Sequence, residues 1–194
     1  MAKKIPYGLT DYVLVMTDNY YYVDKTQYID LLEQTGRFLF LIRPRRFGKS
    51  LFLNMLNCYY DVKYADRFEE LFGNQYIGKH PTAEQGKYLV LRFNFSMVRA
   101  TDDKLEAAFN RHISLETAYF ASVYASYFKP DFQEQLKLIP EAAGRLEYIC
   151  LCAKEQGLSI YLLIDEYDNF TNTILSSKGN DVYHSLTHDS GFYR

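Results

Sequence analysis

The chain has 194 residues, of which 48% are hydrophobic and 24% are charged. This composition is typical of a globular protein and excludes a disordered chain, and the length fits one domain. The formal net charge of −2 argues against a general nucleic-acid or membrane-surface binder, although a local basic patch remains open.

Cysteine usage and hydropathy indicate a protein of a reducing compartment. The three cysteines, Cys58, Cys150 and Cys152, form no C-x-x-C pair, which argues against a zinc ribbon or a disulfide framework. No run reaches the ~18 apolar residues of a membrane span, and residues 1–8 lack the apolar core of a secretory signal. We therefore expect a cytoplasmic protein with reduced thiols and no membrane partner.

Three continuous apolar runs, at 38–42, 88–93 and 160–164, are predicted to be β-strands. Continuous rather than alternating hydrophobicity is typical of strands covered on both faces of a parallel sheet. Just before the first run, a helix is predicted from about residue 28. Asp24 or Thr26 is its expected cap and Gly36 its expected end.

Helical patterns occupy the intervals between these runs. After Lys49, apolar residues share one face of a helix, and 103–128 predicts one or two helices that end before Pro130. A further apolar stripe begins at Ala142 and stops at Gly157. The order strand, helix, strand, helices, strand predicts an α/β fold in which crossover helices cover a mainly parallel sheet.

The segment 43–50, which reads RPRRFGKS, has the context of a phosphate-binding loop because it follows a predicted strand and opens a helix. Gly48 would allow close approach of the backbone, Lys49 would reach the β and γ oxygens, and Ser50 would ligate Mg²⁺. Arg43 stands where the pattern G-x-x-x-x-G-K-[ST] has its first glycine. A solvent-exposed turn with helix-capping residues therefore remains the alternative.

Asp165 and Glu166 follow directly after the third run, which is the Walker-B arrangement. The aspartate would help to hold Mg²⁺, and the glutamate would polarise an attacking water. The alternative is that both begin a polar loop. Because ligands collect at the carboxyl ends of strands, we expect one Mg²⁺ to be shared by Ser50 and Asp165.

Other polar residues give weaker signals. Arg43, Arg45 and Arg46 would neutralise phosphate charge, act as a cis arginine, contact nucleic acid, or simply be solvated. Three histidines show no zinc-type spacing, which favours packing or surface roles for His112, His184 and His188.

Four segments in order resemble the bacterial AAA-ATPase-like domain family: IPYG at 5–8, YVDKT at 22–26, RPRRFGKSL at 43–51 and LIDEYD at 163–168. The phosphate loop of that family typically reads RPRRFGKS. The resemblance implies a P-loop NTPase-like three-layer αβα sandwich with ATP and Mg²⁺ as cofactors. It implies nucleotide binding by Arg45, Arg46, Phe47, Gly48, Lys49, Ser50 and Leu51, metal binding by Ser50 and Asp165, and catalysis by Glu166 and Lys49.

Members of the family usually carry a restriction-endonuclease-like domain after the ATPase. We therefore expect residues 1–194 to be the amino-terminal part of a P-loop domain, truncated before its last strands, its lid and the nuclease-like domain. The expected function is Mg²⁺-dependent ATP binding with hydrolysis, in a chain that could oligomerise. One alternative is a nucleotide sensor that gates a partner or nuclease domain without turnover, and another is nucleic-acid binding through the arginine cluster.

Overall fold

The computed structural model describes residues 3–44, 46–98 and 105–167. The chain divides into two compact units, residues 1–90 and 91–194. Within the described ranges, the three cysteines are free thiols, as expected, and no helix has the length and apolar character needed to cross a bilayer.

The first unit is built from helices. They are α1 (Tyr12–Thr17), α2 (Tyr28–Thr35), α3 (Lys49–Tyr60), a 3₁₀ helix (Val62–Arg67), α4 (Phe68–Phe72) and α5 (Tyr76–Lys79). Aromatic rings fill its core: Tyr12 stacks on Phe72 with ring centroids 5.2 Å apart, and Tyr59 meets Phe72 edge-on at 5.5 Å. The Tyr12 hydroxyl donates to the Leu71 carbonyl at 3.1 Å, so this buried hydroxyl has a hydrogen-bond partner.

The expected capping of α2 by Asp24 or Thr26 is wrong. The N-cap of α2 is Gln27, and no described side chain caps that helix. Asp24 instead accepts hydrogen bonds from the Thr26 N–H (2.8 Å) and from the N–H of Tyr76 (2.7 Å), which is the first residue of α5. The Thr26 hydroxyl accepts from the Ile77 N–H at 3.1 Å. The motif at 22–26 therefore satisfies the free donors of a helix that is distant in sequence. The expected end of α2 at Gly36 is confirmed.

The predicted strand at 38–42 does not form. Residues 37–44 have neither helix nor strand structure. Phe38 is 92% exposed and Ile42 is 82% exposed. An apolar run becomes a strand only where a neighbouring strand completes its hydrogen bonds and a core covers its side chains.

The second unit contains most of the sheet and three packed helices. Strand β1 (Tyr88–Asn94) crosses the boundary between the units, and a 3₁₀ turn (Phe95–Met97) follows it. Next come α6 (Leu105–Val123), a 3₁₀ turn (Ala125–Tyr127), α7 (Phe132–Leu138), α8 (Ala142–Glu155) and β2 (Ser159–Asp165). The runs at 88–93 and 160–164 are thus confirmed as strands.

The strands β1 and β2 form a two-stranded parallel sheet. The chain therefore has a mixed α/β fold, while the three-layer sandwich around a larger sheet stays a prediction. Helices α6, α7 and α8 pack on one another. Asn110 of α6 fixes the start of α8, because its Oδ1 accepts the Ala142 N–H at 3.1 Å. The end of α7 is held by buried Arg145, which donates to the Ile139 carbonyl at 2.7 Å.

Candidate functional site

The turn before α3 has the backbone geometry of an anion-binding loop. Gly48 is the N-cap of α3 with φ +75°, and Arg46 also has a positive φ of +67°. Within the described chain, no side chain caps this helix. The first N–H groups of α3 and the positive end of its dipole are therefore available to a ligand.

Side chains around this turn leave it open. A Cβ built on Gly48 would meet nothing within 4 Å, so the glycine is needed for its left-handed conformation rather than for space. Lys49, Ser50 and Leu51 are half-buried at the start of the helix, whereas Arg46 and Phe47 are exposed. Arg43 is exposed as well, and Arg45 lies outside the described residues.

The end of β2 has a buried carboxylate at a strained turn. Asp165 is the last residue of the strand and is only 7% exposed. Its Oδ1 accepts the N–H of Glu166 at 3.0 Å, and among the described residues it forms no salt bridge. Glu166 has φ +54°, a left-handed conformation that a non-glycine residue adopts at a cost. A buried carboxylate without a described cation is a fitting ligand for a divalent metal.

Asn94 is a polar residue of this region that sequence reasoning missed. It ends β1, and parallel strands have their carboxyl ends at the same edge of a sheet. The turn Phe95–Met97 that follows it contacts β2. The Asn94 Oδ1 accepts both the N–H (3.0 Å) and the hydroxyl (2.7 Å) of Ser96, while its Nδ2 has no hydrogen-bond partner among the described residues. The available signal was its position directly after an apolar run, like that of Asp165.

The predicted site residues fall in both units. Lys49 and Ser50 belong to the first unit, and Asp165 and Glu166 belong to the second, so their sharing of one cation stays a prediction. In the described ranges, no group of three or more His, Cys, Asp or Glu side chains could hold a metal ion. A Mg²⁺ ion held mainly by phosphate and water needs no such group, since it keeps several waters and takes one or two protein oxygens.

The histidines were expected to have packing or surface roles. His112 is buried on α6, in line with the expected packing role, and His184 and His188 lie outside the described residues.

Comparison with known proteins gives one match to a family and one to a curated relative. A family model described as "Predicted AAA-ATPase" matches residues 6–194. A protein of Azotobacter chroococcum mcd 1, described as "Uncharacterized protein in vnfD 5'region", is 51% identical over 55 residues. That alignment covers 28% of this chain and 11% of the relative's length. No solved structure matches the chain significantly.

Proposed function

Because the chain belongs to the predicted AAA-ATPase family, we propose that it binds ATP together with Mg²⁺ and hydrolyses the γ-phosphate. Membership supports a nucleotide-binding, ATPase-like role, and the local geometry supports the finer assignment. The observation that carries the proposal is the start of α3, where left-handed Gly48 leads into an uncapped helix that begins with Lys49 and Ser50.

The α3 end supplies the phosphate-binding groups. Its unpaired N–H groups would donate to the phosphate oxygens, with Gly48 keeping the backbone open to them. The Lys49 ammonium would bind the β and γ oxygens as a point charge. Because the site then offers a full positive charge and several N–H donors, a nucleoside triphosphate fits it better than a neutral ligand does.

The β2 end supplies the acidic groups. Ser50 and Asp165 would hold Mg²⁺, which when bound would neutralise charge on the phosphates. Glu166 would orient the attacking water and accept its proton. The left-handed turn at Glu166 supports this role, because strained non-glycine residues concentrate at functional sites.

Asn94 is proposed as an orienting residue for this acidic end. Its Oδ1 is occupied by Ser96, so the amide cannot rotate without losing two hydrogen bonds. The Nδ2 donors are therefore fixed in direction at the end of β1, on the same edge of the sheet as the end of β2, which Glu166 follows. They would hold the Glu166 carboxylate or the terminal phosphate in place.

Family membership also supports the proposal of a P-loop NTPase-like three-layer αβα sandwich, a fold in which nucleotides bind at the carboxyl edge of the sheet.

Nucleotide binding is tested by titration calorimetry with Mg-ATP. Lys49→Ala should weaken binding by about 30-fold, since a charged hydrogen bond contributes about 2 kcal/mol. Lys87→Ala is the matched control, because Lys87 is an exposed lysine of the same unit. Equal affinity in the wild type and the Lys49→Ala variant would refute the phosphate-loop assignment.

Hydrolysis is tested separately by single-turnover phosphate release. Glu166→Gln should preserve Mg-ATP binding and slow release by at least about 100-fold, the usual contribution of a general base. If the wild type binds ATP but leaves it intact, the chain is a nucleotide sensor that gates a partner rather than an ATPase.

A further inference from the structure

His112 is a buried histidine whose ring contacts the Phe95–Met97 turn that follows Asn94. It lies on α6, is 8% exposed, and its Nε2 has no hydrogen-bond partner in the described chain. Its ring meets the ring of Phe95 edge-on, with centroids 6.0 Å apart. A buried polar nitrogen without a partner is unusual, because folding removes its water without replacing it.

Phe95 connects His112 to the candidate site. It is the first residue of the Phe95–Met97 turn, is 7% exposed, and also packs on Phe109 at 5.5 Å. The preceding residue is Asn94 and the following one is Ser96, which are joined by two hydrogen bonds. A displacement of the Phe95 ring would therefore move both partners of this pair.

We propose that His112 is a positioning residue: its neutral ring supports Phe95 and keeps the Asn94–Ser96 turn in place, and its protonation releases that turn. This inference rests on the proposed function, since the Asn94 amide matters because of the nucleotide. Its consequence is that protonation of His112 lowers nucleotide turnover when the medium becomes acidic.

The surroundings of His112 give a protonated ring little compensation. The charge that acts on it is Glu116, which is half-buried one turn further along α6. The Phe95–Met97 turn carries no charged side chain, and on α7 both Glu134 and Lys137 are exposed. On α8 the buried charge is Arg145, which is already bound to carbonyl oxygens. An imidazolium would thus be buried with one partial counter-charge.

The direction of the pH effect follows from burial. Burial lowers the pKa of His112 below its ordinary value of 6.5, with a smaller opposing effect of Glu116. In the window between the folded pKa and 6.5, the open or unfolded form therefore binds more protons than the folded form. The folded conformation of the Phe95–Met97 turn is favoured at and above neutral pH and loses stability as the pH falls below 6.5.

The stability of the turn is measured by the hydrogen exchange of the Ser96 amide in NMR spectra, without nucleotide. Between pH 7.5 and pH 5.5, the wild-type protection factor should fall, by at most about tenfold, after correction for intrinsic exchange. His112→Phe keeps a ring against Phe95 but cannot be protonated, so its protection factor should stay constant. His112→Gln serves the same purpose if the phenylalanine variant does not fold. His80→Gln, which removes an exposed histidine of the first unit, should behave like the wild type.

The catalytic consequence is measured by the ratio of ATP turnover at pH 7.5 to that at pH 5.5. This ratio should be larger in the wild type than in His112→Phe. If the wild type binds no ATP at pH 7.5, the proposed function fails, and the exchange of Ser96 still tests the role of His112. An equal pH dependence of Ser96 protection in wild type and both His112 variants would overturn the inference.

Discussion

The segment at 38–42 and strand β2 have nearly the same apolar character but different structures. Both consist of five continuous apolar residues that lead into a predicted ligand-binding turn. The run in β2 pairs with β1, and its Leu163 is 5% exposed, whereas the other run has no strand and its Phe38 is 92% exposed. Hydrophobicity thus indicates that a segment can form a β-strand, and the presence of a neighbouring strand to pair with determines whether the strand forms.

Strand β2 is buried on one face only, whereas burial on both faces was expected. Leu163 and Asp165 are buried, but Leu162 is 48% exposed and Ile164 is 39% exposed. β1 comes closer to the expectation, with Leu89, Val90 and Leu91 buried in succession. Parallel strands need cover on both sides, and the outer face of β2 has little among the described residues.

Among the variants that test this comparison, Leu163→Ala should change the free energy of unfolding most. It removes a buried side chain from β2 and should lower the free energy of unfolding by about 2–5 kcal/mol. Urea unfolding followed by circular dichroism measures the change. A loss under ~0.5 kcal/mol, the size typical of exposed sites, would mean that β2 is no better covered than 38–42.

A smaller effect of opposite sign is expected at the turn after β2. Glu166→Gly relieves the left-handed backbone at φ +54° and should raise the free energy of unfolding by about 1 kcal/mol. Arg46→Gly, at φ +67° in the turn before α3, should show a similar gain. Thermal denaturation of both variants gives the comparison. Destabilisation by Glu166→Gly would show that the glutamate side chain, rather than the backbone, holds that turn.

The smallest effect is expected for Phe38→Ser. Because the ring is 92% exposed, its loss should change the free energy of unfolding by less than ~0.5 kcal/mol in the absence of nucleotide. The same urea experiment measures it. A larger loss would mean that other residues cover the run at 38–42 as they cover Leu163 in β2.

Local patterns in the sequence predicted most of the regular elements. The α3 stripe, the stop at Gly157 and the strands at 88–94 and 159–165 follow from periodicity and from glycine at a left-handed position. These features depend on neighbours within a few residues. The short helices α1, α4, α5 and α7 were not predicted, because helices of four to seven residues show too little periodicity.

Long-range partners could not be read from the sequence. Asp24 precedes α2 and has the residue type of a cap for that helix, yet its second partner is Tyr76. Asn94 is an ordinary residue for the end of a strand until β2 is placed beside β1. The uncapped start of α3 and the buried Asp165 were predicted in position, since motif spacing identified them, but their burial and backbone angles required the structure.

The bond from Asp24 to Tyr76 closes a long stretch of chain around α3. During synthesis, the amino-terminal motif must wait for residues 76 and 77 to emerge before its carboxylate and its threonine hydroxyl find their partners. Closing so long a loop is entropically demanding and slows folding. The contacts between the amino-terminal motif and α5 are therefore among the last that the first unit can form during synthesis.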